Sequence, residues 1–70
     1  MLIKLGVTLR DIRKSKNLSQ EELSIKCNLH RTYIGMVERG EKNITITSLI
    51  KITDALGIDL IYFFKSFDER

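Results

Sequence analysis

An all-α fold of five short helices is encoded in this 70-residue chain, and three features of the sequence say so. Apolar residues recur at intervals of three and four almost throughout, which is the period of one helix face rather than of a strand. Capping residues (Ser19, Thr45, Asp59) stand ahead of three apolar runs, and Asn17, Asn28, Gly40 and Gly57 close the first four. No proline interrupts any of them, and 43% hydrophobic with 30% charged residues is an ordinary globular composition.

The first helix is carried by Leu2, Leu5, Leu9 and Ile12, with Arg10, Arg13, Lys14 and Lys16 on its other flanks. It should end near Asn17, a residue that tolerates the left-handed backbone. Ser19-Gln20-Glu21-Glu22 has the form of a capping box, in which Ser19 caps and Glu22 reaches back. The helix it opens runs to about Cys27, one turn beyond Leu23, and Asn28 stops it. After Leu29 a third helix starts at His30 or Arg31, turns Ile34 and Val37 to the interior, and stops at Gly40. About three residues separate the second and third helices, the link of a helix-turn-helix.

Residues 41–44 read as loop. Thr45 caps a fourth helix with Leu49, Ile52 and Leu56 on one face and Gly57 as its stop. The β-branched run around Ile44–Ile50 would also suit a strand, but the cap and the stop favour helix. Asp59 caps a fifth helix, Leu60 to about Ser66, after which residues 67–70 are expected to fray.

A chain of this length holds one domain, residues 1–70, and buries only about 60% of its unfolded surface. Small domains make up the shortfall with disulfides, a metal or oligomerisation. One Cys excludes an intrachain disulfide, and one His with one Cys cannot build a tetrahedral zinc site. Oligomerisation remains. No apolar run approaches the ~20 residues of a membrane span, and Met1–Gly6 is too short for a signal peptide. A cytoplasmic protein with a reduced thiol is therefore expected. Residues 1–42 hold nine Lys/Arg against five Asp/Glu, whereas residues 43–70 hold three against four. An anion-binding N-terminal part and a C-terminal part with another task fit that asymmetry.

Three stretches together carry a resemblance. They are Leu5-Gly6 with Leu9-Arg10-Asp11-Ile12-Arg13 and Leu18-Ser19-Gln20-Glu21-Glu22-Leu23; Ile34 with Val37-Glu38-Arg39-Gly40; and Leu49, Ile52 and Ala55-Leu56-Gly57. In this spacing the chain resembles the XRE-type, λ-repressor-like helix-turn-helix family over nearly its whole length. Asn28-Leu29-His30-Arg31-Thr32-Tyr33-Ile34, Lys42-Asn43 and the Phe63-Phe64 ending are similar to the controller proteins of restriction–modification systems. The chain departs from the family at Asn28, where Gly is common, and at Ile25, where a charged residue is usual. Gly35 inside the third helix costs roughly 1 kcal/mol against Ala; it either lets DNA approach closely or is merely tolerated.

A recognition helix presented N-terminus first reads bases with its first turn and the next. Arg31, Thr32 and Tyr33 are then the first-turn readers, and Met36 lies one turn on. Arg suits guanine O6 and N7, Thr offers a hydroxyl and a methyl, and Tyr33 can pack on a thymine methyl. The plainer alternative makes Arg31 a surface residue and Tyr33 a core-rim aromatic. Gln20 opens the second helix, where a backbone N–H and an amide can meet a phosphate. The resemblance sets Gln20, Arg39, Lys42 and Asn43, and more weakly Ser48, along the DNA backbone. It also implies that Arg13 and Glu38 form a partly buried, structural ion pair between the first and third helices. His30 is a helix cap or a phosphate neighbour, and Cys27 is a small buried hydrophobe.

Four large apolar residues in the last helix exceed what one face can bury, so residues among Ile61, Tyr62, Phe64 and Phe67 are candidates for a two-fold dimer interface. No Ser/His/Asp set that a 70-residue bundle could converge, no glycine-rich phosphate loop and no His-Glu-x-x-His is present, and neither enzyme activity nor a metal or cofactor is expected. The resemblance implies a homodimer that binds a pseudo-palindromic operator in double-stranded DNA upstream of its own and an endonuclease gene. It would activate or repress by site occupancy, with RNA polymerase as a candidate further partner. A phage-type repressor or antitoxin-like autoregulator is the alternative within that class; a protein-interaction module without DNA binding is the alternative outside it.

Overall fold

A computed structural model describes residues 1–69. They form α1 (Leu2–Ser15), α2 (Gln20–Cys27), α3 (Arg31–Glu38), α4 (Ile46–Leu56) and α5 (Leu60–Asp68), with no strand among the described residues. Local chemistry starts and stops each helix. Ser19 Oγ accepts from Glu22 N at 3.0 Å while Ser19 N donates to Glu22 Oε1 at 2.8 Å, completing the capping box of α2. That backbone donor, seconded by the Ser19 hydroxyl, holds the Glu22 carboxyl below the ordinary carboxylate range. Thr45 and Asp59 accept from Ser48 N and Tyr62 N to start α4 and α5. The cap of α3 is His30, whose Nδ1 accepts from Thr32 N at 3.0 Å. Asn17 and Asn28 take left-handed φ values of 59° and 58° past α1 and α2, where the short amide side chain eases the strain. The β-branched residues of α4 are helical, as the cap and stop required.

α5 runs through Asp68, further than the expected end near Ser66. The reason is Phe67: its ring packs edge-on against Phe64 at a centroid distance of 6.3 Å and lies under Lys4 Nζ at 4.7 Å. Side-chain contact with α1 holds a turn that local sequence would let fray. Arg70, the last residue of the stretch expected to fray, lies outside the described residues.

One core draws on all five helices: Leu9 and Ile12, Leu23 and Cys27, Ile34 and Val37, Leu49, Ile52 and Leu56, with Phe63 wholly buried. Burial pushes the Cys27 thiol up from its ordinary value. Thr8 and Thr53 share this interior, with their hydroxyls donating to Lys4 O and Ile50 O one turn back. The crossing of α1 over α3 is set by Gly6. A Cβ there would come within 2.5 Å of Glu38 O and 2.8 Å of Glu38 C, and closer still to Val37 O. Only a residue without a side chain lets the two backbones meet, and that contact fixes where α3 stands.

Candidate nucleic-acid interface

α2 and α3 are joined by Asn28, Leu29 and His30, and the anchor beneath them is a buried ion pair. Arg13 Nε meets Glu38 Oε2 at 2.7 Å and Arg13 Nη2 meets Glu38 Oε1 at 3.0 Å. The two side chains are only 8% and 4% exposed. Arg13 Nη1 also donates to Leu18 O at 2.6 Å, ahead of α2, and Gln20 Nε2 donates to Glu38 Oε1 at 3.0 Å. α1, the link to α2, the start of α2 and the end of α3 are thus tied at one point. Every buried side-chain polar atom among the described residues has a partner, so this charge pair keeps its geometry without an orphaned group.

Gln20 gives one amide N–H to Glu38, while the residue stays half-buried at the mouth of the cleft that Arg31 and Thr32 line. Gly35 is buried and lines the same cleft. A Cβ at Gly35 would stand 3.1 Å from Arg39 Nη1 and 3.4 Å from Gln20 Oε1. The missing side chain makes room for Arg39 to lie back across α3.

Arg31 and Thr32 are exposed on the first turn of α3, and they line one cleft with Gln20, Gly35 and Arg39. Tyr33 and Met36 are half-buried, and Tyr33 packs at the rim of the core. Lys42 and Asn43 are exposed in the loop after α3, with no hydrogen bond or ion pair to another described residue. Ser48 accepts from the Thr45 hydroxyl at 3.0 Å as part of the α4 cap, which leaves its own proton free. Arg39 pairs with Glu41 at 3.1 Å, both side chains more than half exposed.

A second cleft shares Gln20 and Arg39 and adds Arg10 and Lys14 of α1. These two basic residues were not among the candidates for DNA contact. Their signal was available: they lie four apart on one helix flank, and Arg13, between them, faces the start of α2. What the sequence could not supply was the angle at which α1 crosses α3. Together the two clefts make a basic path from α1 past the N-terminus of α2 to the N-terminus of α3.

On α5, Ile61, Tyr62 and Phe64 are 79%, 53% and 44% exposed. Ile61 and Phe64, three residues apart, share a side; Tyr62, about 100° round the helix from Ile61, borders a groove with Asp11 and Ser15 of α1. Phe67 is half-buried against Lys4 and contributes less to that outer surface. Among the described residues no group of three or more His, Cys, Asp or Glu could hold a metal ion, and no helix is long and apolar enough to cross a membrane.

Comparison with known proteins agrees with this arrangement. The chain is 48% identical over 62 residues to control protein C.BamHI of Bacillus amyloliquefaciens, across 83% of this chain and 76% of that protein. Its fold is similar to the restriction-modification controller protein C.AhdI from Aeromonas hydrophila, with a TM-score of 0.87 and 41% identity over 90% of this chain and 96% of that one. It is similar also to C.Esp1396I, solved as a tetramer in complex with its natural 35 base-pair operator, with a TM-score of 0.92 and 38% identity over 97% of this chain and 90% of that one. A family profile described as helix-turn-helix matches residues 9–63. The chain belongs to the XRE-type helix-turn-helix family, among the controller proteins of restriction–modification systems.

Proposed function

We propose that this protein is a transcriptional regulator, not an enzyme, that binds a pseudo-palindromic operator as a homodimer. It would control its own gene and that of a restriction endonuclease in the cytoplasm, the sign of control following from which sites are filled. One domain, residues 1–70, would carry both DNA binding and dimerisation. The observation behind this reading is the cleft in which Arg31 and Thr32, at the start of α3, open beside the N-terminus of α2. A helix start offers unpaired N–H groups and a positive dipole end to a phosphate, while the next helix start offers side chains to base edges.

Arg31 and Thr32 then read bases, with the Tyr33 ring and Met36 as flanking apolar contacts. The Gln20 backbone N–H, Arg39, Lys42, Asn43 and the Ser48 hydroxyl meet phosphates, and Arg10 and Lys14 extend that track along α1. Arg13 and Glu38 touch no DNA; they hold α3 at its angle. Ile61 and Phe64, with Tyr62 alongside, form the isologous contact that sets two recognition helices ~34 Å apart, one turn of B-DNA.

Selection of bound sequences from a random duplex pool, followed by titration over a range of salt, tests this. A two-fold symmetric consensus should emerge, and log K should fall with log salt by about 0.9 per phosphate neutralised. Affinity that is flat with salt, or a pool that yields no consensus, refutes the reading.

A further inference from the structure

Glu21 stands on the DNA-facing side of α2, where a carboxylate is an electrostatic liability. It sits at the second position of the helix and is 63% exposed, next to the N–H groups offered to a phosphate. Helix-dipole compensation explains an acidic residue in a first turn, but it does not explain the partner. Glu21 Oε2 accepts from Arg31 Nη1 at 2.8 Å, joining the first turn of α2 to the first turn of α3. The Arg31 guanidinium makes no other hydrogen bond with a described residue.

The atom used is informative. Arg13 grips its carboxylate through the parallel donors Nε and Nη2. In Arg31 that same edge is left open, because Glu21 takes Nη1. Guanine presents O6 and N7 to such a pair of parallel donors. An exposed Arg on its own samples many rotamers, and each must be given up when a base is bound. A carboxylate bound to the third nitrogen removes part of that freedom beforehand while leaving the reading edge clear.

We propose that Glu21 is a positioning residue for specificity: it holds the Arg31 guanidinium in the orientation that reads guanine, at the expense of general affinity for DNA. This rests on the assignment of Arg31 as a base reader. Removing the carboxylate then has two effects of opposite sign. Phosphate repulsion falls, so every duplex is bound more tightly; Arg31 loses its restraint, so guanine is preferred less.

The test measures Glu21→Gln, Arg31→Ala and the double variant against the selected operator, the same operator with each half-site guanine replaced in turn, and a random duplex. Glu21→Gln should bind random duplex at least as well as wild type, and should lose about two- to fivefold of the preference at one guanine, the range an exposed ion pair can supply. In the Arg31→Ala background Glu21→Gln should leave the remaining preferences unchanged. Glu21→Asp, one methylene too short for the 2.8 Å contact, should behave like Gln. If Arg31→Ala lowers guanine preference while Glu21→Gln shifts all duplexes equally in either direction, the inference is overturned and the Arg31 assignment stands. If Arg31→Ala itself leaves the preference intact, the assignment of Arg31 fails, and the inference with it.

Discussion

Replacing Gly6 with Ala puts two effects of opposite sign in competition. Gly6 lies inside α1, and on helix propensity alone the substitution should stabilise by about 1 kcal/mol. The tertiary structure argues the other way. The new Cβ would stand 2.5 Å from Glu38 O and 2.8 Å from Glu38 C, well inside van der Waals contact. Those atoms are backbone, in the last turn of α3, and cannot rotate away as a side chain could. Overpacking of this kind costs about 1–3 kcal/mol and sometimes more, so relief requires α1 and α3 to separate. Separation stretches the Arg13–Glu38 pair, which spans the same two helices. Contacts this short to backbone put the cost at the top of that range, about 3 kcal/mol, and less the propensity gain the expected net loss is about 2 kcal/mol, a large share of the ~4–10 kcal/mol available to a domain of this size. Urea denaturation at fixed protein concentration should show the midpoint falling by roughly 2 M, since m is about 1 kcal/mol/M for so small a chain. Operator affinity should fall as well, because α3 moves. A variant as stable as wild type, or more so, would show that propensity dominates and that the crossing is looser than its geometry indicates.

Other expectations follow from the same contacts. Glu38→Gln leaves the Arg13 guanidinium buried with no counter-charge and should cost ~3–5 kcal/mol, whereas Arg13→Met/Glu38→Leu should unfold at higher urea than either single variant; thermal or urea melts decide it. Gly35→Ala meets only side-chain ends, Arg39 Nη1 at 3.1 Å and Gln20 Oε1 at 3.4 Å, so stability should hold or rise by up to ~1 kcal/mol while phosphate-dependent affinity drops in a binding titration. Ile61→Asp should give a folded monomer with weak operator binding by sedimentation equilibrium, whereas Leu49→Asp should unfold the domain. The Glu22 carboxyl, held below its ordinary value of 4.5 by Ser19, contributes stability that is present above that value and is lost as pH falls through the lower, folded-state value. Glu22→Gln should therefore flatten the acid limb of a stability–pH curve. Cys27 runs the other way: its thiol is pushed above 9.0 by burial, so its contribution is intact below that pH and lost as pH climbs toward the folded-state value.

Much of the protein is legible in one dimension because helix signals are local. Ser19, Thr45 and Asp59 cap the helices they precede in sequence, and Asn28 and Gly57 adopt the left-handed backbone that ends a helix. The three- and four-residue apolar rhythm picks out Leu9, Ile12, Leu49, Ile52 and Leu56 as core because a helix face is a property of spacing alone. The family motif is legible for the same reason: its residues sit in short runs. Other features depend on which helix faces lie against which. Phe67 keeps the last turn of α5 only because Lys4 of α1 is beside it. Gln20 gives an amide N–H to Glu38, and Arg10 with Lys14 joins the basic path, because of how α1, α2 and α3 lie against one another. The Arg31–Glu21 contact spans two helices ten residues apart in sequence. Spacing along a helix determined the elements and the faces they bury; the angles between helices decided which charges meet, because those angles come from side-chain volume at the crossings.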